Sequence, residues 1–349
     1  MFPIARPLLL SIDASLNMIK QPLQTLFDAM YHGKLSFHDF LYSEMLQNYE
    51  VAHFGVENKR TIYKPKENLK MYHRFLNLFL FELLPINERA VFSYRKGTGA
   101  VNAVKKHKHG RYFFQTDIRS FFQSINSSLA RSVILDGANF CAISDVSQHI
   151  DRIIELVCID DSVPVGFPAS APLSNAVLLN FDNEVEKICK NLELEYSRYA
   201  DDIIISGKDQ SSLLGMDEIV QEKLHTFASQ KFSINRKKTR FFQVGGKIKI
   251  LGMMILPNGT ISPDTKKKEE LETLLHFYLS DKAKFNRMIA DRTRTKKNLG
   301  NIEEAGQEIL SGNLNYVDSV DPEYTNKLRR KFGAATIDIL IHKGFSNKK

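Results

Sequence analysis

Three consecutive isoleucines, Ile203, Ile204 and Ile205, follow two adjacent aspartates, Asp201 and Asp202, and residues 194–199 just before them are also strand-prone. No other feature constrains the folding of this chain as tightly. β-Branched residues favour extended backbone, and an uninterrupted apolar run fits a strand buried on both faces. The two arms are near enough in sequence to pair as a hairpin, with the aspartates at its reversal. Aspartate is an ordinary turn residue, so this motif alone also fits a surface turn. Paired carboxylates nevertheless repel and raise each other's pKa until a cation relieves them. Oxygen ligands of this kind suit a hard divalent ion.

The chain has 349 residues, room for two or three subdomains with a real core. Its 43% hydrophobic and 25% charged content is that of a soluble globular protein. A net charge of +8 and a pI of about 9.1 favour a polyanionic partner without naming it. Cys141, Cys158 and Cys189 have no metal-ligand spacing and suggest no disulfide framework, which fits a reducing cytoplasm. The apolar run at residues 7–12 is stopped by Asp13 and is too short for a signal peptide. The longest apolar stretch, residues 75–86, is interrupted by Asn77 and Glu82 and cannot span a bilayer. A cytoplasmic location with no membrane contact is expected.

Apolar spacing predicts helix over 14–50 and extended chain over 51–65, closed by Pro65. An amphipathic helix is predicted over 67–84, mixed strand and loop over 88–108, and a strand from Tyr112 into Asp117. Helices follow over 128–160, then a loop at 166–168. Leu173, Val177, Phe181, Val185 and Ile188 mark one face of a further helix. After the hairpin come a helix over 212–229, a strand pair or kinked strand over 248–256, and basic helices from Ser262 onward. This order describes an α+β body with a helical subdomain appended.

Asp117 ends one apolar strand, and Asp201 and Asp202 lie at the tip of another hairpin. If those strands are neighbours, three carboxylates converge, as nucleotidyl transfer requires when two divalent ions steady the attacking and leaving oxygens. Around them the chain resembles a reverse transcriptase, with its motifs in family order. Arg60-Thr61-Ile62-Tyr63-Lys64-Pro65 and Phe92-Ser93-Tyr94-Arg95-Lys96-Gly97 resemble the two fingers blocks. Residues 113–122, centred on Asp117, are similar to palm motif A, residues 166–175 occupy the place of motif B, and Tyr199-Ala200-Asp201-Asp202 matches motif C. Residues 234–239 resemble motif D and 250–252 the block that follows it, and segments between 312 and 333 resemble the thumb of bacterial retron-type enzymes.

The resemblance implies a right-hand polymerase fold. Its N-terminal helices and fingers would lie in 1–110, the palm with fingers insertions in 111–260 and a helical thumb in 261–349. Asp117, Asp201 and Asp202 would bind Mg²⁺, with Mn²⁺ as a substitute, for the addition of dNTPs. Lys59, Arg60 and Arg95 would clamp the triphosphate, and Phe122 would exclude a 2′-hydroxyl. Lys238 would protonate pyrophosphate or position its loop.

Motif B departs from the family pattern. Ala169 and Ser170 follow Pro168 where a glutamine and a glycine are usual. This departure, and a loose match to the retron-specific elements, point to a bacterial antiphage-defence reverse transcriptase. Its partners would be an RNA template, a cognate noncoding RNA, and a DNA product; a partner effector, a second reverse transcriptase and oligomerisation stay open. The alternatives are a retron enzyme making RNA-linked single-stranded DNA, untemplated or atypically templated synthesis, or an RNA-binding scaffold with a silent active site. No endonuclease or RNase H segment is expected.

Overall fold

The computed structural model describes residues 19–54, 60–243, 245, 248–293 and 302–346. The chain divides into two compact units, one made of residues 1–99 and 113–241, the other of 100–112 and 242–349.

The first unit opens with α1 (Leu23–Tyr31) and α2 (Phe37–Tyr42), both within the stretch 14–50 expected to be helical. His32 and Gly33 both take left-handed backbone angles and end α1. Ser36 then caps α2, its hydroxyl accepting from the Asp39 N–H at 3.1 Å. Residue 49 already begins a strand. β1 (Tyr49–Phe54) and β2 (Arg60–Pro65) form an antiparallel ribbon in the register Tyr49↔Pro65 to Phe54↔Arg60.

α3 (Glu67–Phe79) buries Leu69, Tyr72, His73, Phe75 and Leu76 and is extended by a 3₁₀ turn at Phe81–Leu83. Its aromatic face packs on α1 and α2, with Phe27 5.1 Å from Phe40 and 5.3 Å from Phe75 between ring centroids. Such tilted and edge-on ring pairs add to the burial itself.

Residues 88–108 contain no extended strand; a loop leads into α4 (Ala100–Lys106). β3 (Tyr112–Asp117) follows as predicted, then α5 (Ser127–Asp136), α6 (Val146–Val157), α7 (Ser170–Val177) and α8 (Leu179–Asn191). The face running from Leu173 to Ile188 is thus shared by two helices, broken at Leu178. β4 (Glu195–Tyr199) and β5 (Asp202–Gly207) form the expected hairpin, and α9 (Met216–Phe227) leads to β6 (Arg240–Gln243). Hydrogen bonding orders the sheet β4-β5-β3-β6. Ile203, Ile204 and Ile205 are fully buried, which is why three consecutive apolar residues were needed there.

The second unit contains α4, a meander of β7 (Ile248–Ile250), β8 (Met253–Ile255) and β9 (Ile261–Pro263), and five helices among its described residues. These are α10 (Thr265–Ser280), α11 (Lys282–Thr293), α12 (Ile302–Val320), α13 (Pro322–Phe332) and α14 (Ala334–Ser346). Their core is aliphatic and aromatic, built around Leu271, Leu275, Phe285, Leu310, Leu314 and Ile337. This unit has 23 lysines and arginines against 13 aspartates and glutamates, net +10, so the first unit carries −2 of the chain's +8. No helix among the described residues is long and apolar enough to cross a membrane.

Candidate active site

The acidic turn sits at one end of the central sheet. Tyr199 and Asp202 pair across β4 and β5, leaving Ala200 and Asp201 as a two-residue turn. Ala200 has φ 57, a left-handed conformation normally given to glycine in hairpins of this length. Beside the turn, β3 delivers Asp117. The Ile118 N–H donates to the Asp201 carbonyl at 2.9 Å, and the Asp117 carbonyl accepts from the Asn235 N–H at 2.8 Å. The backbone at Asp117 is therefore tied to the acidic turn on one side and to residues 234–235 on the other. β5 and β3 are neighbours in the sheet, and this strand order sets Asp117 beside the turn that carries Asp201 and Asp202.

The three carboxylates lie in unequal surroundings. Asp117 is only 7% exposed. Its Oδ2 accepts from the Lys238 ammonium at 3.0 Å, with the Asn235 amide at 3.5 Å, while its buried Oδ1 has no hydrogen-bond partner. Asp202 is half-buried, and its carboxyl is pushed up to about 6 by burial, by Asp201 and by Asp117, against the opposing pull of Lys238. A buried carboxylate oxygen without a donor and a carboxyl whose pKa is raised by burial and by neighbouring acids both fit a site for a cation. Among the described residues no set of three acidic, histidine or cysteine side chains is already drawn into a metal cage.

The other sequence candidates are placed unevenly. Phe122 is half-buried, its ring 5.2 Å from that of Phe121, which is buried as core. Arg95 is committed to its own loop: its Nη1 donates to the Glu88 and Val91 carbonyls at 2.8 and 2.7 Å, and its Nη2 pairs with the Glu88 carboxylate at 3.2 Å. Arg60 begins β2; Lys59 lies outside the described residues.

In the loop before α7, Pro168 is exposed while Ala169 and Ser170 are buried. The Ser170 hydroxyl donates to the Pro164 carbonyl at 2.7 Å. The two residues that depart from the family pattern thus face the protein. The loop is pinned from outside as well, by the Tyr63 N–H on the Val165 carbonyl at 2.8 Å and the Asn77 amide on the Pro168 carbonyl at 3.1 Å.

Sequence reasoning missed Asn235, Ser93 and Arg198. Ser93 accepts from the Ala200 N–H and Arg198 donates to the Ala200 carbonyl, so both grip the acidic turn. A signal for Arg198 was present: it shares strand parity with Tyr196 in a hairpin whose partner strand is apolar over Ile203–Ile205, an inward position for a charge.

Residues 53–255, a span that includes all three aspartates, match the family model for reverse transcriptase (RNA-dependent DNA polymerase). Over 287 residues the chain is 26% identical to the retron Mx65 reverse transcriptase of Myxococcus xanthus, covering 78% of this chain and 61% of that protein. It is 24% and 23% identical to the retron Ec73 and Ec83 reverse transcriptases of Escherichia coli, covering 78% and 80% of this chain and 83% and 84% of theirs. Among solved structures, a Candida albicans telomerase with a fragment of telomeric RNA aligns at a TM-score of 0.44 and 11% identity, over 93% of this chain and 67% of that one. With more than half its length inside the family model, the chain belongs to the reverse transcriptase (RNA-dependent DNA polymerase) family, whose α+β right-hand fold its motifs led one to expect, and the relatives it matches are retron enzymes.

Proposed function

We propose that this protein copies an RNA template into DNA, joining dNTPs to a primer hydroxyl with Asp117, Asp201 and Asp202 as the catalytic carboxylates. The observation that carries this reading is the backbone tie between β3 and the acidic turn, which sets Asp117 next to the segment that carries Asp201 and Asp202. The unpartnered Asp117 oxygen and the raised Asp202 carboxyl suit a site for Mg²⁺, or Mn²⁺ in its place. Bound there, a pair of such ions would supply the positive charge that steadies the attacking oxygen and the departing pyrophosphate.

The remaining roles belong to the chain itself. Lys238 neutralises Asp117 in the resting protein and, released from it, has an ammonium to offer the triphosphate or the leaving pyrophosphate. Lys59 and Arg60 are the proposed triphosphate contacts of the fingers; Arg95 joins them only by letting go of Glu88. Phe122, partly exposed and five residues after Asp117, is proposed to close the space a 2′-hydroxyl would need. Pro168, Ala169 and Ser170 shape the loop without offering a side-chain amide, so base-pair selection falls to backbone and shape. Fingers, palm and thumb are proposed for 1–110, 111–260 and 261–349. The +10 unit suits an RNA held mainly through its phosphates and 2′-hydroxyls.

The retron relatives support a cognate noncoding RNA as template and an RNA-linked DNA as product. An antiphage setting, with an effector or a second reverse transcriptase as partner, is supported by the family resemblance. The test is to express the gene with its native flanking DNA and sequence all nucleic acid bound to the purified protein, beside an Asp201→Ala/Asp202→Ala variant. DNA complementary to a flanking RNA in wild type alone is the expected result, and an RNA–DNA branch would mark a retron. Equal DNA content in both proteins would refute the catalytic assignment. DNA without a template match would replace copying by untemplated synthesis.

A further inference from the structure

Beneath the acidic turn lies a buried polar knot. Arg198 and Asp182 are both fully out of solvent. They pair through two hydrogen bonds, Nε to Oδ1 at 2.8 Å and Nη2 to Oδ2 at 2.6 Å, and the Tyr196 hydroxyl donates to the same Oδ1 at 2.6 Å. A buried ion pair is a poor device for stability alone, because desolvation offsets most of its attraction. What the pair holds is therefore informative. The remaining guanidinium nitrogen, Nη1, donates to the Ala200 carbonyl at 3.0 Å and to Asn175 Oδ1 at 3.3 Å.

Ala200 is gripped from its other side too. Its N–H donates to the Ser93 hydroxyl at 2.8 Å, and the Asn175 amide donates to the Ser93 carbonyl at 2.8 Å. Ser93 is brought there because Ala90 and Phe92 exchange backbone hydrogen bonds with Arg198 along β4, at 2.8 and 3.1 Å. A left-handed alanine costs energy that relaxed backbone would recover, and such strain persists only where its surroundings over-determine it. Here both peptide groups flanking Ala200 are clamped, and the second of them begins Asp201.

We propose that Arg198, neutralised by Asp182 and assisted by Ser93 and Asn175, is a positioning residue that fixes the Ala200 backbone and thereby aims Asp201 and Asp202. The proposal rests on the catalytic assignment of those aspartates. Asn175, near the end of α7, and Ser93, in the loop that carries Arg95, meet the acidic turn in this one knot. Three segments that match separate family motifs are thus joined under the carboxylates by hydrogen bonds rather than by contact with substrate.

The test uses the full-length protein and three variants. In Tyr196→Phe/Asp182→Leu/Arg198→Met the whole charged group is replaced by apolar side chains, an exchange that buried ion pairs often tolerate. Ser93→Ala removes only the hydroxyl that holds the Ala200 N–H, and Asp201→Asn reports on the catalytic assignment itself. RNA-templated primer extension gives kcat and the dNTP KM in Mg²⁺ and in Mn²⁺, and circular dichroism reports folding.

The triple variant is expected to fold and to lose about 100-fold in kcat, the scale of a reacting group displaced by roughly 1 Å. Its KM should stay within about threefold of wild type, because substrate contacts are untouched. The ratio of Mn²⁺ to Mg²⁺ rate should rise, since Mg²⁺ tolerates distorted coordination poorly. A folded triple variant with wild-type kcat and metal ratio overturns the positioning role. If the triple variant does not fold, Ser93→Ala is judged by the same split between kcat and KM and the same metal ratio. Full activity in Asp201→Asn would overturn the catalytic reading and this proposal together, whereas an inactive Asp201→Asn beside a fully active triple variant would overturn this proposal alone.

Discussion

Replacing Asp202 by asparagine should stabilise the metal-free protein at neutral pH while abolishing its activity. The Asp202 carboxyl is raised from 3.8 to about 6, first by burial, then by Asp201 and Asp117. At about 1.4 kcal/mol per unit, ionising it in the folded chain is disfavoured by roughly 3 kcal/mol, which solvent screening of this half-buried group reduces to roughly 1–2 kcal/mol. The folded chain binds this proton more tightly than the unfolded chain. Stability from the group is therefore complete below the unfolded value of 3.8 and is lost as pH rises through about 6. Asparagine keeps the shape and cannot ionise, so it removes the repulsion only where the carboxylate would exist.

The chain has no tryptophan, so far-ultraviolet circular dichroism is the natural melting signal. In EDTA near neutral pH, Asp202→Asn should melt higher than wild type, at about 2–4 °C per kcal/mol recovered in a unit of this size. Near the unfolded pKa of about 4 the two proteins should converge. Mg²⁺ should raise the melting temperature of wild type at neutral pH and leave the variant unmoved. An Asp202→Asn protein that melts at or below wild type in EDTA, or gains equally at both pH values, would refute the argument that the site is held in electrostatic tension.

Phe122→Ala should admit ribonucleotides, lowering discrimination for dNTPs on the order of 10- to 100-fold in kcat/KM; competition between dNTP and NTP in primer extension checks it. Gly166→Ala should disturb the loop before α7, because Gly166 has φ +107 and an added Cβ would lie 2.3 Å from the Tyr63 carbonyl oxygen. A loss of about 1–3 kcal/mol is expected from thermal melting, together with a raised dNTP KM. RNA affinity should fall steeply with salt, by about a thousandfold or more between roughly 50 and 200 mM if six or more phosphates are neutralised. Fluorescence anisotropy with a labelled RNA measures that slope.

Much of the palm-like body was legible because its signals are local. The Ile203–Ile205 run marks a strand buried on both faces, and Asp117 ends a second apolar strand, so bringing the aspartates together needed only that the strands be neighbours. Over 14–50 the helical spacing is legible but the breaks are not: His32, Gly33 and Ser36 end one helix and start another, and residue 49 already begins a strand. The 100–106 segment reads as loop and strand in sequence, but its short apolar face, Ala103 and Val104, packs as helix. Arg198 and Asp182 lie 16 residues apart on a strand and a helix, and no local pattern states that two such charges will meet in the core. The altered motif B was legible as a departure, but the inward burial of Ala169 and Ser170 comes only from the fold.

The most direct test of the catalytic account is primer extension by the purified protein on a defined RNA template with all four dNTPs, run for wild type, Asp117→Asn and Asp201→Asn with Mg²⁺ or EDTA. The account predicts template-complementary DNA from wild type with Mg²⁺ and from no other combination. Comparable product from either variant, or product whose sequence ignores the template, would contradict it.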